Sequence, residues 1–290
     1  MQLMEGPLGC AFFLAAHQLD VPIEQLVRPE VALDIAAKAL GVLDPWTGYA
    51  EAGRAEVLAR AALVETLAFS VISDPRSAWW WQELPRKSQL TLREAEGLPA
   101  PALQDAAPRW SAYAQRPPRA FFTSTRFGTT SGLHAAVANR VGDWEPTYPL
   151  VEIDVEIADA RVYEVTAAAD WHQLATTFPL RVAQPGSSPP GIVNDLSPDW
   201  SPVAARWDGV HLTFAGLLSA SYVPMTTAAG TTTLWTWESE RTLWLRQPFV
   251  ARRQVRLLRE ELREGHPGLA PVLISAGPAG TRDRGWLRRS

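Results

Sequence analysis

At 290 residues the chain can bury a full hydrophobic core, in one large domain or two ordinary ones. Apolar residues make up 47% and charged residues 20%, a composition that excludes a disordered chain. The formal net charge of −4 lacks the basic surplus of a dedicated nucleic-acid binder, so nucleic acid is not an expected partner.

In chain order, the first apolar run is LGCAFFLAA at residues 8–16, preceded by Glu5 rather than a basic cluster. It is too short to span a bilayer and wrong for a signal peptide, so the expected setting is cytoplasmic, with no membrane partner. Cys10, the single cysteine, lies inside this run and reads as a small hydrophobe. PEVALDIAAKALGVL places Val31, Ile35, Leu40 and Val42 near a 3.6-residue period, with Pro29 suited to a first turn and Asp44-Pro45 to a stop. Residues 51–72 predict a further helix, whose wide apolar stripe includes Val57, Leu58, Val64, Phe69 and Val71. Trp79, Trp80 and Trp81 cannot all share one helix face. They predict a plug between two layers or a contact with a protein partner.

Residues 96–118 gather prolines and alanines and are expected to link a helical domain (1–95) to a second domain (119–290). The first 110 residues carry 14 acids against 9 bases, and the last 41 carry nine arginines against four acids. After Pro118 the pattern changes to short strands: RAFFTST, LVEIDVEI, RVYEVT, GVHLTF, TTTLWTW and TLWLRQPFV. In LVEIDVEI strict alternation predicts a half-buried strand with Glu152, Asp154 and Glu156 solvated. Short helices intervene at LHAAVANRV, ADWHQLATTF and SPDWSPVAARW, and RRQVRLLREELREG predicts a basic helix. The fold class expected is α+β: an N-terminal helical domain, then a mixed or antiparallel β-sheet domain with flanking helices and a basic C-terminal helix and tail.

No Walker loop, GxGxxG, GxSxG elbow, HExxH or paired CxxC occurs, and no metal is expected. Three polar groups remain. Arg119 and Arg126 flank the hydroxyl run Thr123, Ser124 and Thr125, and arginine beside alternating hydroxyls can organise a phosphate or ribose. His211 and Thr213, with Asp208 nearby, would share one face of a strand. Glu238 and Glu240 stand just before the apolar strand at 242–245, where one acid could stabilise a developing cation while the other positions a nucleophile.

Taken in order, an aromatic-rich strand ending in a hydroxyl triplet, strands around a cleft, and Glu-x-Glu before the last apolar strand resemble the mono-ADP-ribosyltransferases of the arginine–serine–glutamate class. The resemblance covers roughly residues 119–246. It implies NAD as co-substrate, held by an arginine and by Ser124 with its flanking threonines, among them Thr125. It also implies Glu240 as the glutamate that stabilises the oxocarbenium-like ribose and Glu238 as the acid that assists an acceptor; the apolar strand that follows Glu240 places its carboxylate, by expectation, at the mouth of a cleft. In that family the arginine lies on a separate strand well before the triplet, whereas Arg119 and Arg126 stand beside it. His211 with Thr213 is similar to the histidine-bearing class of the same fold, where histidine grips the ribose.

Three readings follow. The first is ADP-ribosyl transfer or NAD cleavage by the C-terminal domain. The second is a non-catalytic interaction protein using Trp-rich surfaces and the basic C-terminal helix. The third is another small-molecule enzyme using His211 and a carboxylate. Convergence of Ser124, His211 and Glu240 on one pocket would separate the enzymes from the binding protein.

Overall fold

Helices fill the first third of the chain. α1 (Pro7–Gln18) opens on a proline, whose fixed φ and missing N–H suit a first turn, and its residues 7–16 are all buried. α2 (Ile23–Leu26) and α3 (Pro29–Leu43) follow, the latter over the residues whose period predicts it. The single helix expected over 51–72 is three pieces: α4 (Ala50–Ala59), a 3-10 turn at Ala61–Val64 and α5 (Glu65–Ser73). The backbone leaves helical geometry at Arg60 (φ −98°, ψ 1°) and at Val64 (φ −120°, ψ 8°). Each break resets the phase of the apolar stripe, so Val57, Val64 and Val71 are buried while Leu58, Leu63 and Phe69 face solvent. The computed structural model describes residues 2–43, 50–94, 121–139, 150–182, 191–246 and 248–258.

Strands and short helices alternate from there. They are β1 (Gln89–Glu94), β2 (Phe121–Thr125), α6 (Gly132–Ala138), β3 (Leu150–Ile157), β4 (Val162–Val165), α7 (Ala168–Thr177) and β5 (Pro179–Arg181). Next come β6 (Leu196–Pro198), α8 (Trp200–Arg206), β7 (Gly209–Leu212), α9 (Phe214–Ala220), β8 (Met225–Thr227), β9 (Gly230–Thr232), β10 (Arg241–Trp244) and β11 (Phe249–Leu258). Seven strands form one mixed sheet in the order β11–β3–β1–β2–β10–β7–β4. Every pairing is antiparallel except β4 with β7. β5–β6 and β8–β9 are separate two-stranded ribbons. The fold is α+β. No helix among the described residues is long and apolar enough to cross a membrane.

Local signals explain several boundaries. Asp170 sits in the first turn of α7 and accepts from the backbone N–H of Ala167 and Thr166, at 3.0 and 2.8 Å, closing donors that a helix start leaves open. Asp199 caps α8 through Ser201 N–H at 3.0 Å. The basic helix expected from residue 252 begins as strand instead, because β11 runs along the open edge of β3, with two register shifts. That edge supplies a ladder of backbone partners, and this tertiary context outweighs the helical preference of Arg, Gln and Leu. Residues 259–290 lie outside the described residues.

The main core joins the N-terminal helices to elements as far along the chain as β10. Phe12, Phe13 and Trp80 belong to the same buried cluster as Phe214, Leu217 and Leu243. Trp80 is wholly buried, edge-on to Phe12 at 5.6 Å and to Phe214 at 5.0 Å between ring centroids. Trp79 donates its indole N–H to Val27 O at 2.8 Å, and Trp81 is 38% exposed. Trp80, with Trp79 beside it, thus plugs the space between α1 and α9, and Trp81 stands partly exposed at its edge. β1 falls inside the expected helical domain 1–95 yet pairs with both β2 and β3. The division at 96–118 therefore does not separate one core from another, and the expected linker itself lies outside the described residues.

Candidate functional site

Three strands and one helix meet where β2 ends and β10 begins. Antiparallel pairing sets Thr123 of β2 beside Thr242 of β10, and Thr242 beside His211 of β7. Glu240, one residue before β10, turns its carboxylate into this junction and is 2% exposed. The Ser124 hydroxyl reaches Glu240 Oε2 at 2.5 Å. Thr125 donates its hydroxyl to Oε1 at 2.8 Å and its backbone N–H to Oε2 at 3.2 Å. His211 Nε2 lies 3.1 Å from Oε1. A bare carboxylate buried to this degree would be strongly disfavoured, and these donors replace the water it has lost.

Each donor is itself directed. Trp244 Nε1 donates to Thr123 Oγ1 at 2.9 Å, and Thr123 donates to Gln89 Oε1 at 2.6 Å. The Gln89 amide then donates to Thr125 Oγ1 at 3.1 Å, which leaves the Thr125 proton for Glu240. Such a chain polarises in one sense, toward the carboxylate. On the other side Gly132 N–H donates to Ser124 Oγ at 2.9 Å. A Cβ at position 132 would meet Glu240 O at 2.4 Å, so glycine is what lets α6 close over this corner. The Ser124 proton also has a second acceptor, Glu240 O at 3.0 Å.

His211 is held from both sides. Its Nδ1 lies 2.5 Å from Glu164 Oε2, and the parallel register of β4 and β7 places Glu164 directly beside it. Burial disfavours the ring's charge, but the hydrogen bonds and charges of Glu164 and Glu240 outweigh it and raise the His211 pKa to about 9. The side chain of Glu164 is 22% exposed against 2% for His211. This is a carboxylate–imidazole–carboxylate row that runs from the surface to the hydroxyl triplet.

A second polar cluster adjoins the first. Arg126 pairs with Glu152 and with Asp154, its Nε lying 2.8 Å from Asp154 Oδ1. Glu152 also takes His134 Nε2 at 2.9 Å. The His134 hydrogen bond holds the Glu152 carboxyl down at about 2, with burial opposing and Arg126 assisting. Glu152 is 4% exposed, so the solvated face expected for β3 holds for Glu156 but not here. α6 covers that position and supplies the histidine.

Of the residues singled out from sequence, Ser124, Thr125, His211 and Glu240 converge. Glu240 is a correction in one respect: it is buried under α6, not set at the mouth of a cleft. Glu238 turns away to Arg241, at 3.1 Å, and does not share a face with Glu240. Arg126 has its guanidinium engaged by two carboxylates and presents no ready fork for a phosphate. Thr213 is not on the strand, because β7 ends at Leu212. Its hydroxyl caps α9 by accepting from Gly216 N–H at 2.9 Å and donates to Val165 O at 3.3 Å. Arg119 lies outside the described residues. Glu164, Gln89 and Gly132 carried no motif. Glu164 enters through strand pairing, which no local pattern in RVYEVT announces. Among the described residues no group of three or more His, Cys, Asp or Glu side chains is arranged to hold a metal ion. The chain matches no protein-family model, no curated protein and no solved structure.

Proposed function

We propose that this chain is an NAD-dependent ADP-ribosyltransferase or NAD-cleaving enzyme, with Glu240 as its central acid. The observation that carries the reading is the direct hydrogen bonding of Ser124 and Thr125 to the Glu240 carboxylate. A hydroxyl run and a glutamate distant in sequence form one unit, as the resemblance to the arginine–serine–glutamate class requires. When the ribose–nicotinamide bond breaks, nicotinamide leaves with the bonding electron pair and positive charge builds on the ribose. Glu240 is the anion that stabilises it, and an acceptor or water then attacks the same carbon and loses a proton. The Ser124 proton can turn from Oε2 to the Glu240 carbonyl without losing its hydrogen bond, which frees one acceptor position on Oε2, still held by Thr125 N–H, for a ribose hydroxyl. Arg126, Thr213 and Glu238 have no role in this reading.

The test is incubation with NAD while nicotinamide release is followed, with and without candidate acceptors. Glu240→Gln keeps the shape and removes the charge, and turnover should fall by a few hundred-fold, equivalent to about 3–4 kcal/mol. Wild-type protein that neither binds nor consumes NAD rules the reading out. Circular dichroism of the variant separates lost chemistry from lost fold.

The burial of Glu240 favours a second reading, in which the network is a satisfied polar core in a non-catalytic interaction protein. Of the surfaces first assigned to that alternative, Trp80 is buried, Trp81 is partly exposed, and residues 252–258 are strand. The same NAD assay distinguishes the two.

A further inference from the structure

Both ring nitrogens of His211 face carboxylate oxygens, Glu164 Oε2 at 2.5 Å and Glu240 Oε1 at 3.1 Å. An ionised carboxylate only accepts, and a neutral imidazole has one nitrogen that only accepts. A neutral ring would therefore point a lone pair at one of these oxygens, whichever tautomer it took. With both carboxylates ionised, the arrangement requires an imidazolium that donates from both nitrogens. Glu164 is fixed in turn, since its other oxygen accepts Leu84 N–H at 3.2 Å. The third neighbour of His211 is its register partner on β10, the uncharged Thr242. Among the described residues, Glu164 and Glu240 are the charged groups hydrogen-bonded to the ring.

We propose that Glu164 is a positioning residue of the Glu240 centre: it keeps His211 charged and turned so that Nε2–H holds Glu240 Oε1. The inference rests on the NAD-cleaving reading of the site. Glu164 never touches the reacting atoms; it acts through the ring. It stands at the more exposed end of the row, while His211 and Glu240 are shut away from water. Without the Glu164 charge, a buried ring beside a single carboxylate loses much of the support for its own charge. Glu240 then faces a neutral donor, and its carboxylate is less firmly placed for the cation that forms on ribose.

The experiment uses the full chain and three proteins: wild type, Glu164→Gln and Glu164→Asp. NMR titration of the His211 ring reads its ionisation with no substrate present. In wild type the ring should titrate near pH 9, as its surroundings dictate. In Glu164→Gln the midpoint should move toward the ordinary imidazole value, about 6.5. Nicotinamide release from NAD is then measured against pH. The alkaline limb of kcat should move down with the ring in Glu164→Gln, with kcat at about pH 8 lowered roughly tenfold or more and KM little changed. Glu164→Asp should recover some of both effects. A ring midpoint that is the same in wild type and Glu164→Gln overturns the proposal. A midpoint that moves while the kcat profile stays fixed overturns it too. A wild type that releases no nicotinamide overturns the NAD reading itself, and the proposed role of Glu164 in catalysis with it; the ring titration then still reports whether Glu164 governs His211.

Discussion

Ser124 Oγ and Glu240 Oε2 stand 2.5 Å apart although 116 positions separate them in the chain. Antiparallel pairing of β2 with β10 brings the end of one strand beside the start of the other, and α6 closes over the junction through Gly132. A buried carboxylate at such a place needs every neighbour to donate. Loss of any one of them should register in stability, in turnover, or in both.

Stability should fall on both sides of weakly acidic pH. The folded-state pKa of His211 is raised from 6.5 to about 9, so its contribution is complete below pH 6.5 and is lost as pH rises through 9. The Glu152 pKa is lowered from 4.5 to about 2, so its contribution is complete above pH 4.5 and is lost as pH falls toward 2. Urea midpoints measured from about pH 3 to about pH 10 should show both limbs. The alkaline limb should shrink in His211→Gln, and an unchanged limb would mean that another group carries it.

Gly132→Ala should disturb the site without touching any charge. The added Cβ would lie 2.4 Å from Glu240 O and 3.1 Å from Ser124 Oγ, so α6 must shift. Overpacking of this kind costs about 1–3 kcal/mol, and under the proposed function it should also lower the rate of nicotinamide release. Chemical denaturation and the NAD assay read the two effects separately.

Thr213→Ala should act as a capping mutation only. Loss of the hydroxyl that accepts Gly216 N–H should cost about 1 kcal/mol, and Thr213→Ser should restore it. The KM for NAD should not change. A raised KM at unchanged stability would return Thr213 to the binding site.

Trp80→Ala should cost about 3–5 kcal/mol, because the indole fills the space between Phe12, Phe13 and Phe214. Trp81→Ala, at a 38% exposed position, should cost much less. Comparable losses in thermal or urea unfolding would mean that the plug extends to Trp81.

Thr242→Val should be neutral or stabilising by about 1 kcal/mol. The Thr242 hydroxyl is buried and makes no hydrogen bond, so an isosteric methyl gives up nothing. A marked loss of stability would show that the hydroxyl has a partner in solution.

Sequence alone determined what depends on neighbours in the chain. The helix at 29–43, the strands at 121–125 and 150–157, the short helices α7 and α8 and the α+β class follow from period and local residue pattern. Ser124, Thr125, His211 and Glu240 were legible as candidates because hydroxyls, a histidine and an acid beside apolar strands are conspicuous. Only the tertiary structure decided how they act. The parallel β4–β7 register set Glu164 against His211, and the β2–β10 pairing set Ser124 against Glu240. Strand pairing also claimed residues 252–258 for the sheet, and α6 turned Glu152 from a solvated residue into a buried one. Spacing in the chain says which side chains share an element. Which ones share a site depends on register and crossovers, and those are fixed by burial of the whole core.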